Sequence, residues 1–186
     1  MIEQNEFLER VIKALNNAHI PYMISGSIGS SFHGQPRATN DADIVIDPTK
    51  EQVPGFVDAL GPDCYVSKDA AIGALQNNSM FNVIDTESGA KADLIIRKKR
   101  PFSQQEFTRR TQVPFAGTDA YVLSPEDSIL SKLEWGKGRP SEIQFKDALG
   151  VLLAQKDNLD FDYLKRWAKE LGIEDALKQL MKAAEK

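Results

Sequence analysis

The chain reads as an α/β core followed by a helical C-terminal part. Three observations lead there. Short apolar runs, Tyr22-Met23-Ile24, Ile44-Val45-Ile46 and Leu94-Ile95-Ile96, have the length and β-branched content of buried strands. Stretches of helical spacing alternate with them up to Val122. From Ser124 onward the strand signals stop, and apolar residues keep a helical spacing to the end. We expect residues 1–122 to form the core and 123–186 the helical part.

The elements follow in order. Phe7, Leu8, Val11, Ile12 and Leu15 recur at helical spacing, so the chain opens on an amphipathic helix, ended by Asn16-Asn17 and Pro21. Pro21 to Ser25 reads as a strand that stops at Gly26-Ser27, and Ile28 to His33 as the first turns of a helix, with Ser30 on its surface. A polar loop, Gly34 to Asn40, leads into a strand opened by Asp41-Ala42-Asp43. Asp47-Pro48 has the form of a helix start, Asp47 at the N-cap and Pro48 at the first position, with the helix reaching about Leu60. Cys64 to Val66 is a short strand and Lys68 to Leu75 a helix. Phe81–Asp85 and Ala92–Ile96 flank Thr86-Glu-Ser-Gly-Ala as a hairpin, and Tyr121-Val-Leu is a further strand. Ser124-Pro125-Glu126-Asp127 supplies a cap, a first-position proline and acidic residues for a helix that buries Ile129, Leu130 and Leu133. Gly136 to Pro140 breaks it. Ser141 and Gln144 make a capping box for the next helix, whose inner face holds Phe145, Leu149, Leu152 and Leu153. Leu164, Trp167 and Leu171, then Leu177, Leu180 and Met181, mark two more.

Bulk properties narrow the function classes. The 186 residues suit one domain with a helical extension, and a hydrophobic fraction of 41% supports a sizeable core. A net charge of −4 argues against a generally basic nucleic-acid coat but leaves room for a local basic groove. The single cysteine, Cys64, excludes an internal disulfide and a cysteine-based metal cluster. Met-Ile-Glu-Gln-Asn-Glu lacks the features of a signal peptide, and no apolar run approaches the length that spans a bilayer. The expectation is a soluble, cytoplasmic protein with no membrane partner.

The chemistry concentrates in two motifs separated by thirteen residues. Ser25-Gly26-Ser27 is a small-residue turn at a helix start, which exposes backbone N–H groups suited to phosphate. Asp41 and Asp43 alternate along one strand, so they share a face. Two carboxylates so placed repel one another unless a cation sits between them, and magnesium prefers such oxygens while keeping waters for substrate phosphates. The alternative for each is structural: a plain strand-to-helix turn, and carboxylates capping a loop or facing water.

Together the motifs resemble the nucleotidyltransferase fold of the DNA-polymerase-beta-like superfamily: apolar-Gly-Ser, about a dozen residues, Asp-x-Asp, then a third acid on an apolar strand. That acid looks like Asp93 in Lys91-Ala-Asp93-Leu-Ile-Ile96, with Asp85 a rival that its Thr-Glu-Ser-Gly context marks as a turn residue. Arg37-Ala-Thr39-Asn-Asp41-Ala-Asp43 resembles the Arg-x-Thr-x-Asp-x-Asp of the AbiEii-like toxin–antitoxin nucleotidyltransferases. Ser124 to Trp135, with Asp147 on the next helix, resembles a later part of that group. The resemblance spans roughly Pro21 to Leu153.

It implies a mixed central sheet flanked by helices and transfer of a nucleoside monophosphate from a nucleoside triphosphate to an acceptor hydroxyl, with release of pyrophosphate. Asp41, Asp43 and Asp93 would be catalytic and would ligate magnesium, two ions about 4 Å apart, or manganese in its place. Gly26 and Ser27 would hold the β- and γ-phosphates. Lys132 would meet the leaving pyrophosphate, oriented by Asp147; the plain alternative is a surface lysine and a solvated aspartate. Arg37 would contact triphosphate or acceptor, or pair with a nearby carboxylate, and Thr39 would cap backbone. The acceptor is left open among RNA such as a tRNA end, a protein and a small molecule such as an aminoglycoside. A cognate partner protein of a toxin–antitoxin pair, or a silent antitoxin that binds nucleotide without turnover, is the reading from a different class. Arg97-Lys-Lys-Arg100 and Arg109-Arg110 could meet RNA phosphates, or simply be a solvated strand end. His19 and His33 have no ligand-like spacing. Trp135 and Trp167 sit at core spacing and are expected to pack.

Overall fold

Two apolar clusters organise the chain, one between a sheet and the helices on one of its faces, the other among the C-terminal helices. The computed structural model describes residues 2–36, 39, 41–115, 117–139 and 141–185. The elements run α1 (Ile2–Asn17), β1 (Tyr22–Ile24), α2 (Gly26–Ser31), β2 (Asp41–Ile46), α3 (Gln52–Ala59), β3 (Cys64–Tyr65), α4 (Lys68–Asn77), β4 (Met80–Asp85) and β5 (Lys91–Ile96). They continue with α5 (Pro101–Thr108), β6 (Thr111–Phe115), β7 (Thr118–Val122), α6 (Pro125–Trp135), α7 (Glu142–Gln155), α8 (Phe161–Leu171) and α9 (Glu174–Ala183).

Among the described residues seven strands form one mixed sheet in the order β3-β4-β5-β2-β1-β7-β6. β2 pairs parallel with β5 and β1 parallel with β7, while the remaining pairs are antiparallel. Period-two alternation gives the central strands two unlike faces. Ala42, Ile44 and Ile46, with Ala92, Leu94 and Ile96, are buried in one cluster with Phe7, Val11 and Leu15 of α1 and Phe56 of α3. The opposite face carries Asp41, Asp43 and Val45 beside Asp93 and Ile95, and it is only partly covered. Phe107 of α5 and Leu123 pack on it against Met23 and Val45.

The second cluster joins α6, α7, α8 and α9 through Ile129, Leu130, Leu133, Val151, Leu164, Leu177 and Leu180. A buried polar knot fixes α6 to its neighbours. Ser124 Oγ and Tyr163 Oη donate to the two oxygens of Asp127, at 2.7 and 2.6 Å. Arg109 donates to Glu126 at 2.9 Å, and its guanidinium lies over the Tyr163 ring, 4.0 Å from the centroid. Glu126 in turn accepts the Asp160 N–H at the start of α8.

Several local expectations are corrected. Asp47 does not cap a helix: it is held by Arg97 at 2.8 Å, and the Thr49 N–H is taken by Gln52, so α3 begins only at Gln52. α5 and β6 lie where no element was expected; β6 carries Pro114 and sits at the sheet edge, where a missing N–H is tolerated. Leu153 is exposed, and Ala148 and Val151 face inward with Leu152 instead. Ser30 is buried and donates to Ser27 O, rather than lying on the surface.

Candidate active site

β2 and β5 run parallel in a register that sets Asp43 against Asp93 and Asp41 against Lys91. The three carboxylates therefore share the partly open face, Asp41 at its exposed rim and the other two half-buried. Asn82, opposite Asp93 on β4, donates to the Asp93 carboxylate. Asp85 is elsewhere: its oxygens take the Glu87 and Ser88 N–H groups and the Arg10 guanidinium, as a turn residue's would.

Gly26 is what lets the turn after β1 approach this face. It adopts φ +59°, and a Cβ built there would lie 1.9 Å from Asp43 Oδ2. The turn is tied down by the Ser25 N–H, which donates to Asp43 O at 2.8 Å. Ser27 follows at the start of α2, largely buried and lining the same cleft as Gly26. Thr39 Oγ1 donates to Asp41 O, the backbone-capping role expected of it. Arg37 lies outside the described residues.

Lys132 enters from α6. It is only 6% exposed, so it is not a surface lysine, and its ammonium meets Asp147 of α7 at 2.8 Å. Burial, and after it the neighbouring Asp93 charge, push the Asp43 carboxyl above the ordinary range, while Lys132 pulls it back down. The floor, α2, α5 and α6 enclose a cavity of about 460 Å³. Ser128, Ser131, Lys132 and Trp135 line it from α6, and Ser103 and Glu106 from α5.

The arginines of the basic runs behave differently from either expectation, while the two lysines between them are solvated as the plain reading had it. Arg97 is paired with Asp47, Arg100 forks onto Glu134 through two nitrogens, and Arg109 is held by Glu126 and Asp127. Arg110 donates to Phe107 O and covers the Phe107 ring. These arginines brace α5 and α6, while Lys98 and Lys99 are exposed. Of the histidines, His33 bonds Leu123 O at 2.6 Å in a structural contact. Trp167 packs against Phe102 and Tyr163 as expected. Trp135 does not pack: it is 68% exposed at the cavity mouth.

Four contributors were not anticipated: Lys91, Asn82, Glu106 and Ser128. Lys91 was legible in principle, being two positions before Asp93 on the same strand and so on the same face. Its ammonium lies 3.8 Å from Asp41 and 3.2 Å from Asp93. Glu106 sits on the unanticipated α5; burial lifts its carboxyl to about 7, although Ser131 donates to it at 3.1 Å. Ser128 Oγ is fully buried and has no hydrogen-bond partner within the described protein.

The donor set bears on the expected magnesium. Asp41, Asp43 and Asp93 offer hard carboxylate oxygens on one face, which is the chemistry that ion takes. Among the described residues no three acidic, histidine or cysteine side chains close into a ready metal cage. The Lys91 ammonium supplies the positive charge there instead, so the residues fit a hard cation once Lys91 gives way.

No family model matches the chain, and no curated protein matches it in sequence. Solved structures do match its fold. The solution structure of the antibiotic-resistance factor ANT(2'')-Ia superposes with a TM-score of 0.57 at 14% identity, over 98% of this chain and 95% of that one. The crystal structure of ANT(2'')-Ia in complex with adenylyl-2''-tobramycin gives 0.61 at 13%, over 91% and 97%. An antigenic nucleotidyltransferase-like protein from Paracoccidioides brasiliensis gives 0.53 at 15%, over 78% and 73%. The chain thus has the nucleotidyltransferase fold, the α+β architecture with a mixed open sheet that the motifs implied. Among the described residues no helix is long and apolar enough to cross a membrane.

Proposed function

We propose that the chain is a metal-dependent nucleotidyltransferase, moving a nucleoside monophosphate from a nucleoside triphosphate to an acceptor hydroxyl. The observation that carries this is the in-register Asp43–Asp93 pair, with the Gly26 turn pressed against Asp43 and Lys132 on the same cavity wall. In the reaction the acceptor oxygen forms a bond to the α-phosphorus, the α–β bridging bond breaks, and pyrophosphate leaves with the electron pair. Asp41, Asp43 and Asp93 would hold magnesium or manganese, which supplies charge stabilisation at the attacking and leaving oxygens. Asn82 orients Asp93, toward which the acceptor proton would be drawn. Gly26 and Ser27 receive the β- and γ-phosphates, and Lys132, steered by Asp147, neutralises the departing pyrophosphate.

The acceptor divides into two readings. The AbiEii-like motifs support a toxin-type enzyme acting on tRNA or protein, with a cognate antitoxin as partner. The pairing of Arg97, Arg100 and Arg109 with carboxylates of the chain favours a small-molecule acceptor, because it neutralises guanidinium groups that would otherwise hold a nucleic-acid backbone. The structure similar to this chain that holds adenylyl-2''-tobramycin illustrates such an acceptor on this fold.

The test is transfer of label from each of the four α-labelled nucleoside triphosphates, with magnesium, to total tRNA, to cell protein and to a panel of aminoglycosides. Asp43→Asn is the control. Label that vanishes in the control establishes the enzyme and names the acceptor class. Full pyrophosphate release by Asp43→Asn would overturn the site assignment. Magnesium-dependent nucleotide binding with no transfer to any acceptor would favour the silent binding protein.

A further inference from the structure

The indole of Trp135 is out of keeping with its helix. α6 buries Ile129, Leu130 and Leu133 in the helical cluster, yet it ends on a large aromatic that is 68% exposed. The exposed ring lines the cavity that also holds Gly26, Ser27 and Asp43. Ser128, Lys132 and Trp135 follow one another at four- and three-residue steps, so they form a single stripe along α6. At about 1.5 Å per residue that stripe is about 10 Å long, the order of the reach from the phosphates of a nucleotide to its base.

The inner end of the stripe has its own sign of a ligand. Ser128 is fully buried in the cavity wall, and its hydroxyl has no hydrogen-bond partner within the described protein. A buried hydroxyl left unpaired costs free energy, and a phosphate or ribose oxygen would satisfy it. In the middle, Lys132 lines the same cavity as Asp43, its ammonium held by Asp147 at 2.8 Å. From inside outward the stripe therefore offers a hydroxyl donor, an ammonium and a flat aromatic face, while Gln144 of α7 lines the same cavity with a side-chain amide.

We propose that α6 carries the nucleobase subsite of the enzyme, with the base of the triphosphate stacked on Trp135 and the phosphates turned inward to Ser128 and Lys132. This rests on the nucleotidyltransferase reading given above. Stacking tolerates any base, so the subsite holds purines and pyrimidines alike, with purines tighter for their larger rings.

The experiment is a fluorescence titration of the full chain, in magnesium buffer, with ATP, GTP, CTP, UTP and, separately, inorganic tripolyphosphate. The chain has two tryptophans, and Trp167 is packed against Phe102 and Tyr163, so Trp135 is the reporter. Nucleotides quench the emission and tripolyphosphate does not. Trp135→Ala, followed by calorimetry, weakens nucleotides about 5- to 150-fold and leaves tripolyphosphate unchanged, while Trp135→Phe retains most of the affinity. If Trp135→Ala binds ATP as the parent does while Lys132→Met weakens ATP and tripolyphosphate together, the base lies elsewhere and the nucleotidyltransferase reading survives. If Trp135→Ala weakens tripolyphosphate equally, the indole only supports the fold and the subsite is refuted. If the parent binds neither nucleotide nor tripolyphosphate, both readings fall.

Discussion

Gly26→Ala separates the geometry of the site from the stability of the fold. An L-residue at φ +59° is strained by about 1–2 kcal/mol. The added methyl would start 1.9 Å from Asp43 Oδ2, whereas real Cβ contacts essentially never fall below 3.0 Å. Something must move by about 1 Å, and the nearest atoms all belong to the Asp43 side chain. A displacement of that size at a reacting centre is worth ~10²-fold in rate. Gly61→Ala is the matched control, since Gly61 has φ +74° and nothing within 4 Å of its would-be Cβ. It suffers the backbone strain alone. Both variants lose thermal stability, about 2–8 °C for Gly61→Ala in a chain of this length and more for Gly26→Ala. Only Gly26→Ala loses pyrophosphate release. The assay is turnover under saturating nucleotide beside a thermal melt. Turnover within threefold of the parent for Gly26→Ala, or an equal loss for Gly61→Ala, would refute the reasoning.

Three further outcomes are expected. Lys91→Gln frees Asp41 and Asp93 from the ammonium between them, so calorimetry without nucleotide should show magnesium or manganese bound about tenfold more tightly than by the parent; equal or weaker binding would mean that Lys91 does not compete. Lys132→Met should lower pyrophosphate release by ~10²–10³-fold and reduce unfolding free energy in urea by about 1.5–3 kcal/mol, whereas Asp147→Asn, which keeps a hydrogen-bond acceptor, loses less than tenfold in turnover. Glu106 has its folded carboxyl raised by burial from 4.5 to about 7, so between those values the unfolded state releases a proton that the folded state keeps. Its contribution to stability is therefore present below pH 4.5, declines by a few kcal/mol as pH rises to about 7, and is flat beyond. Glu106→Gln should remove that slope, so that thermal melts of the variant and parent diverge from pH 5 to 8; parallel curves would show that Glu106 ionises freely.

The legible parts of this chain are those where one local rule decides the outcome. Alternation along Asp41–Ile46 put both carboxylates on one face, and the Ser124-Pro125 cap set the start of α6 to the residue. The turn at Thr86 to Ala90 told Asp85 from Asp93. What escaped notice was decided by partners distant in sequence. Asp47 carries every local sign of a helix cap, but Arg97, fifty positions on, claims its carboxylate. The arginines of the basic run look solvated because the glutamates and aspartates that bind them lie on other elements. α5 stayed hidden because its buried positions, Phe102, Ser103, Glu106 and Phe107, include two polar residues, which blurs the helical apolar period. Trp135, expected to pack, lies open, while Lys132, whose plain alternative was a surface position, is buried. Charge and apolarity rank residues by average behaviour, and the rim of a binding cavity inverts that average.

The parallel pairing of β2 with β5 has a consequence for how the molecule comes into being. Asp43 and Asp93 become neighbours only after the intervening chain, with α3, β3, α4 and β4, has folded back to carry β5 alongside β2. Parallel partners have no hairpin to bring them together, and closing so long a loop is slow beside forming α6 to α9 locally. Full-length chains recovering from denaturant therefore form the helices α6 to α9 before β2 and β5 bring the three carboxylates onto one face. The shared carboxylate face is completed late, and an intact candidate site reports that β2 and β5 have paired.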